Sequence, residues 1–285
     1  MARKKRLIVP IFIPFAGCPH RCIYCNQKRI TSQVGLPTIE DVESTVRLYL
    51  STWRADGRKE IAFYGGTFTA LPLDVQKTYL ECARKFIEDG LVDSIRLSTR
   101  PDCVDRSIAR FLRSYGVETV ELGAQSMVDE VLKLSERGHR AEDTVRAAGV
   151  LKEAGISVGI QIMPGLPKDT VDTILETARR VIALKPHMVR IYPALVIKET
   201  PLERLYKEGS YTPWGLERML RICAHLYRLF TEENIRVIRI GLQPTEELKE
   251  SLVAGPFHPA FGELVKKMAT SEGSALSVPS VQQGQ

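Results

Sequence analysis

Three cysteines stand within eight residues, Cys18-Pro-His-Arg-Cys22-Ile-Tyr-Cys25, spaced four and then three apart. Three thiolates can each hold one iron of a cubane 4Fe–4S cluster, leaving the fourth iron without a protein ligand. That open iron can chelate the amino and carboxylate groups of S-adenosyl-L-methionine, and one electron then cleaves a sulfur–carbon bond to give a 5′-deoxyadenosyl radical. The competing reading is structural zinc, which wants four ligands and would draw on His20, but the usual two-plus-two pairing is absent. A disulfide would leave one of three thiols unpaired in a chain with no convincing export signal. Cys82, Cys103 and Cys223 share no ligand-like spacing and read as buried apolar residues.

Other polar residues fall at intervals that suit a ligand. Gly65-Gly66-Thr67 offers backbone that a ligand amino group can approach closely. Arg100 follows Ser98-Thr99, Gln125-Ser126 comes next, and Arg137 and His139 flank Gly138. Arg137 could pair with a carboxylate through two parallel hydrogen bonds, although a solvated charge at a helix end has the same spacing. Gln161 interrupts an apolar run and needs a partner if buried, which a ribose hydroxyl would supply. Arg190 and Tyr192 alternate and should share one face of a strand.

The elements that must position these residues alternate in kind. Leu7–Phe15, Glu60–Tyr64, Ser94–Ser98, Glu118–Gly123, Ser157–Met163 and Met188–Tyr192 read as short, continuous, apolar strands covered on both faces. Amphipathic stretches separate them at Thr38–Trp53, Asp74–Asp89, Cys103–Tyr115, Thr144–Ala154 and Asp169–Leu184. Thr38 with an acid three residues later marks a helix start. The alternation predicts an α/β fold with a parallel sheet, and a partial barrel rather than a dinucleotide-binding sheet, because no Gly-x-Gly-x-x-Gly follows the first strand. In such a barrel every candidate above falls at the mouth formed by the strands' C-terminal ends. Trp214–Glu233 reads as a long helix, and Ile235–Ile240 could add a seventh strand. The expected division is a barrel over 1–243, an extension over 244–267 and a disordered tail over 268–285.

The composition agrees with an ordinary globular chain of 285 residues, 44% hydrophobic and 26% charged. Its net charge of +6 falls to +2 without Arg3, Lys4, Lys5 and Arg6, so the body is nearly neutral behind a basic arm. That arm and the apolar run to Ala16 imitate an export signal, but Pro10 and Pro14 make a poor signal helix. No stretch reaches the roughly 18 apolar residues of a bilayer span, and a cytoplasmic protein with no membrane partner is expected.

Taken together, these motifs resemble radical S-adenosylmethionine (radical SAM) enzymes, and within them the radical domain of the Elongator catalytic subunit. The likeness is carried by Gly65-Gly66-Thr67-Phe68, Thr99-Arg100-Pro101-Asp102, Val120 to Gly123 with Gln125-Ser126, Arg137-Gly138-His139, Met163 to Pro167 and Ile191 to Ile197. It implies a partial (β/α)6 TIM-like barrel with a helical C-terminal extension, and a 4Fe–4S cluster on Cys18, Cys22 and Cys25. Gly65 and Gly66 would contact the methionine moiety, and Gln125, Arg137 and Gln161 would lie near ribose or carboxylate. Thr67 and Arg100 would complete the cofactor contacts. The resemblance also implies a flavodoxin- or ferredoxin-like electron donor and tRNA as the substrate. Ser98 departs from the pattern, since Elongator-type chains tend to carry glutamate there. About forty residues follow Gln243, too few for the acetyltransferase domain of full-length Elongator-type proteins.

Two other functions compete. One keeps the radical chemistry but acts on a porphyrin-type small molecule; Asn26-Gln27 after Cys25, where that family carries a further cysteine, weighs against it. The other is a non-catalytic, metal-stabilised RNA-binding module, for which the basic arm argues and the sparse aromatics, at 7%, argue against.

Overall fold

Apolar residues at alternate positions draw seven strands into one parallel sheet. The computed structural model describes residues 5–31 and 35–271. The chain starts with β1 (Lys5–Ile13), the short α1 (Gln27–Thr31) and α2 (Ile39–Thr52), followed by β2 (Gly57–Gly65) and α3 (Leu73–Glu88). β3 (Ser94–Thr99), α4 (Arg106–Ser114), β4 (Val117–Gln125), α5 (Asp129–Leu134) and α6 (Ala141–Glu153) come next. β5 (Ser157–Ile162), α7 (Val171–Ala183) and β6 (Met188–Ile191) complete the repeating part. The rest comprises β7 (Val196–Ile197), α8 (Pro201–Lys207), α9 (Leu216–Glu232), β8 (Arg236–Ile240), α10 (Glu246–Ser251), β9 (Leu252–Ala254) and α11 (Phe261–Ser271). The sheet order is β1-β2-β3-β4-β5-β6-β8, so a seventh strand joins the six expected ones as a parallel edge.

The expected capping residues act at the start of α2, where Thr38 and Asp41 exchange backbone-to-side-chain bonds of 2.9 and 3.1 Å. Each such cap is worth about 1 kcal/mol. The helix expected from Cys103 begins only at Arg106, because Asp105 caps it through the Ile108 amide at 2.8 Å; Pro101–Cys103 forms a separate tight turn.

The strands are not apolar throughout. One face is: Ile61, Phe63, Ile95, Leu97, Val120, Leu122, Ile160 and Val189 pack beneath the helices in one core. The other face carries Glu60, Tyr64, Arg96, Glu121, Arg190 and Tyr192, and their bonds join strands that are not neighbours. Tyr64 on β2 donates to Glu121 on β4 at 3.1 Å, and Arg190 on β6 reaches the same carboxylate at 3.0 Å. Side chains from alternate strands meet only across a curled sheet, so this face is the lumen of a half-barrel.

The basic arm also reads differently. Lys5 and Arg6 are the first residues of β1, and Arg6 lies 3.3 Å from Glu60, whose side chain is 2% exposed. Arg6 therefore offsets a buried charge. The remainder of the arm and the tail beyond Ser271 lie outside the described residues, while α11 carries regular structure past 268.

The Gly255–Gly262 segment, without a role in the sequence, closes around the exits of β6 and β8. Phe257 packs with Leu195, Ile197 and Leu248, and Phe261 lies across Gly241. The antiparallel pair β7–β9 then braces α1: Lys198 N–H donates to Ser251 O at 2.9 Å, and Asn26 Nδ2 donates to Lys198 O at 3.0 Å. No helix among the described residues is long and apolar enough to cross a membrane.

Candidate functional site

The three thiols lie in the loop that leaves β1, at the C-terminal end of the sheet. Cys22 is buried, and Cys18 and Cys25 are partly covered. The loop is fastened to three different elements: Ile23 N–H donates to Ser135 O at 3.3 Å, Leu202 N–H to Ile23 O at 2.9 Å, and Thr67 N–H to Ala16 O at 2.8 Å. Close approach decides two glycines here. A Cβ on Gly66 would stand 2.1 Å from Ala16 O, and one on Gly17, which has φ of +71°, would stand 2.2 Å from Thr67 O. Only glycine lets the cysteine loop lie against the turn after β2.

That turn is committed except at one atom. Gly65 O accepts from Gln27 Nε2 at 2.6 Å, Gly66 N–H donates to Ile13 O at 2.9 Å, and Thr67 O accepts from Ala70 N–H at 3.0 Å. The Gly66 carbonyl is left without a protein donor among the described residues. It is an acceptor that suits an ammonium group. Thr67 Oγ1 lies 3.4 Å from Cys18 Sγ, so this residue meets the thiols as well as the turn.

Cations gather behind the sulfurs. Arg137 Nη1 donates to Cys22 Sγ at 3.0 Å, and its Nη2 donates to Gly123 O. Arg100 pairs with Asp102 at 2.9 and 3.0 Å and donates to the Arg137 carbonyl. Arg100 Nη1, Arg137 Nε and both ring nitrogens of His139 are buried without a partner. Burial, reinforced by the Arg137 charge, pushes the His139 imidazole down to about 4, so it is neutral at pH 7. Tyr24 buries its hydroxyl beside Cys22 and Arg137.

Burial raises the Cys18 thiol, and burial together with repulsion from Cys22 and Cys18 pushes Cys25 up to about 12. Cys18 and Cys25 therefore resist becoming thiolates on their own, and a bound metal group stabilises the deprotonated form of a ligating thiol. Among the described residues no three ligand side chains converge as a single ion requires. A cubane asks for something different, one thiolate for each of three irons. The donor set, the cations behind it and the orphaned N–H groups fit such an anionic group.

Gln125 and Gln161 are brought together. Gln161 Nε2 donates to Gln125 Oε1 at 3.1 Å beside an irregularity in the β4–β5 register, where Gln125 takes φ of +68°. Arg190 donates to Tyr192 OH at 3.0 Å, so these two share a face as their spacing requires. Cys82 and Cys223 are buried, as expected, but Cys103 is only partly covered, and burial with the nearby Asp102 charge pushes its thiol up to about 11.

The radical SAM superfamily model matches residues 12–181, and the radical SAM C-terminal domain model matches residues 186–270. The chain belongs to the radical SAM superfamily. It is a radical SAM enzyme, and its cofactors are a 4Fe–4S cluster and S-adenosyl-L-methionine. A tRNA uridine(34) acetyltransferase of Methanocaldococcus infernus is 31% identical over 93% of this chain and 57% of the relative. A Methanocaldococcus jannaschii protein is 26% identical over 95% of this chain and 88% of its own length. Among solved structures, the archaeal M. infernus Elp3 with an N-terminal deletion superposes with a TM-score of 0.76 at 22% identity, covering 95% of this chain and 64% of that one. The chain spans about half the length of the tRNA uridine acetyltransferases it matches.

For this radical SAM chain, residue reading missed one fastening and one network. Gln27 takes a hydrogen bond from Phe15 N–H through Oε1 while its Nε2 holds Gly65, so one side chain ties the cysteine loop to the glycine turn. The only signal in the sequence was a polar pair directly after Cys25. The missed network is the lumen chain Glu60–Arg96–Glu121–Arg190. Arg96 is 1% exposed and lies 3.1 Å from Glu60 and 2.9 Å from Glu121.

Proposed function

We propose that Cys18, Cys22 and Cys25 hold the 4Fe–4S cluster and that the adjoining mouth residues hold S-adenosyl-L-methionine for reductive cleavage. When bound, the pair supplies a 5′-deoxyadenosyl radical. The Gly66 carbonyl, presented by the Gly65-Gly66-Thr67 turn, receives the methionine ammonium. Gln125 and Gln161 face the ribose hydroxyls, with their mutual bond fixing which amide atoms point outward. Arg100, locked by Asp102, keeps a cation next to the sulfurs and away from water. The observation that carries this reading is the contact of Arg137 with Cys22 and of Thr67 with Cys18, which places cation, turn and thiols at one mouth.

The proposed substrate class is RNA, tRNA in particular. The relatives named for tRNA uridine modification support it, and so do the exposed cations Arg21 on the loop after β1, Lys28 on α1, Lys168 on the loop after β5 and Lys198 just after β7. Contacts from such cations to phosphates would position a nucleotide over the site. A flavodoxin- or ferredoxin-like electron donor and a cytoplasmic location belong to the same reading. Comparing tRNA nucleosides, prepared anaerobically from cells with and without the protein, tests the substrate. One nucleoside disappears on deletion and returns with the wild-type gene. An unchanged profile sinks the RNA assignment and directs the search to small molecules.

A further inference from the structure

The loop that leaves β5 is held at Gly165 from both sides. Gly165 takes φ of +90°, its N–H donates to the Asp169 carboxylate at 2.9 Å, and its carbonyl accepts from the Tyr211 hydroxyl at 2.6 Å. One residue earlier, Pro164 O accepts from Ala194 N–H at 2.9 Å. The Asp169 bond is local to the loop, but the Tyr211 bond is not. Tyr211 lies between α8 and α9, in the part of the chain matched by the C-terminal domain model. Its side chain is buried in one apolar cluster with Val196, Leu202 and Ile23, and Ile23 stands between Cys22 and Cys25. A single phenol therefore rests among residues that carry the cysteine loop and fixes the loop after β5 through its hydroxyl.

We propose that Tyr211 is a positioning residue for the cofactor, setting the loop after β5 against the base of S-adenosyl-L-methionine in register with the cysteine loop. The proposal rests on the cofactor site described above. Gln161 lies at the ribose in that reading, and the loop opens at Met163, so the base joined to that ribose meets this loop. The two ends of the cofactor are then gripped by different elements, the methionine end beside the thiols and the adenosine end beyond β5. A small displacement between the two grips costs both binding and rate. Gly165 is buried, and a buried carbonyl that loses its donor either shifts or stays unsatisfied. Tyr211 itself touches no reacting atom.

The test compares the full chain with Tyr211→Phe and Leu205→Ala after anaerobic reconstitution. The first variant keeps the ring and removes the hydroxyl. The second loosens the same apolar cluster, which Leu205 borders, and keeps the hydroxyl. Half-saturation by S-adenosyl-L-methionine is read from the electron paramagnetic resonance spectrum of the reduced cluster, and half-saturation by 5′-deoxyadenosine from equilibrium dialysis. Y211F keeps the wild-type iron content and cofactor-free spectrum, while both half-saturating concentrations rise about tenfold, the size expected for one buried hydrogen bond. L205A lowers the urea midpoint yet leaves both concentrations within about twofold of wild type. Four results overturn the proposal: wild-type affinities in Y211F, a loss confined to S-adenosyl-L-methionine, an equal loss in L205A, or Y211F without iron. All four leave the cofactor site standing. A wild-type cluster indifferent to S-adenosyl-L-methionine overturns that site, and this proposal with it.

Discussion

Cys22→Ala abolishes reductive formation of 5′-deoxyadenosine from S-adenosyl-L-methionine, with residual activity at least about 100-fold below wild type. Loss of even an outer partner of a metal ligand costs about 10–100-fold, and Cys22 is assigned as a ligand itself. The variant also leaves Arg137 buried with its sulfur acceptor gone, so iron content falls together with activity. Cys223→Ala provides the control. That thiol is fully buried on the core-facing side of α9, and its replacement leaves iron content and product formation at the wild-type level. Undiminished cleavage by the Cys22 variant would remove the basis for the cluster assignment.

Glu121→Gln destabilises the fold by about 3–5 kcal/mol, measured by urea unfolding, because it leaves buried Arg96 with only Glu60 and half-buried Arg190 with only the Tyr64 and Tyr192 hydroxyls. Burial alone would raise the Glu121 carboxyl, but Arg190 and Arg96 outweigh it and hold it below the usual carboxylate range. A depressed carboxyl contributes stability that is present above its unfolded pKa and lost as pH falls through the folded value. Wild type therefore loses stability on acidification below about pH 4, and the glutamine variant loses less over the same window. A loss under 1 kcal/mol at pH 7 would show that the lumen chain is not held together by these charges.

That lumen chain marks the limit of what residue order reveals. The strands and their helices were legible because their apolar face is local: Ile61 and Phe63, or Leu97 and its neighbours, announce a buried strand by themselves. Glu60, Arg96 and Glu121 look like isolated charges at strand positions, and their compensation comes from strands far apart in sequence. Only the curl of the sheet brings them together. The cysteines were legible for the opposite reason, being close in the chain. Gln27 was not, because Phe15 and Gly65, both of which it bonds, belong to different strand exits. Arg6 looked like part of a solvated arm until Glu60 appeared opposite it. Arg137 was found as a candidate, but its contact with Cys22 depends on how the loop after α5 folds back over the sulfurs.

The most direct test of the cluster and cofactor site is the electron paramagnetic resonance spectrum of the reduced, anaerobically reconstituted chain, recorded before and after adding S-adenosyl-L-methionine. A 4Fe–4S signal whose shape changes on addition is the predicted result, because an iron left without a protein ligand takes the cofactor directly. A signal indifferent to the cofactor, or protein that carries one zinc and no iron, would contradict it.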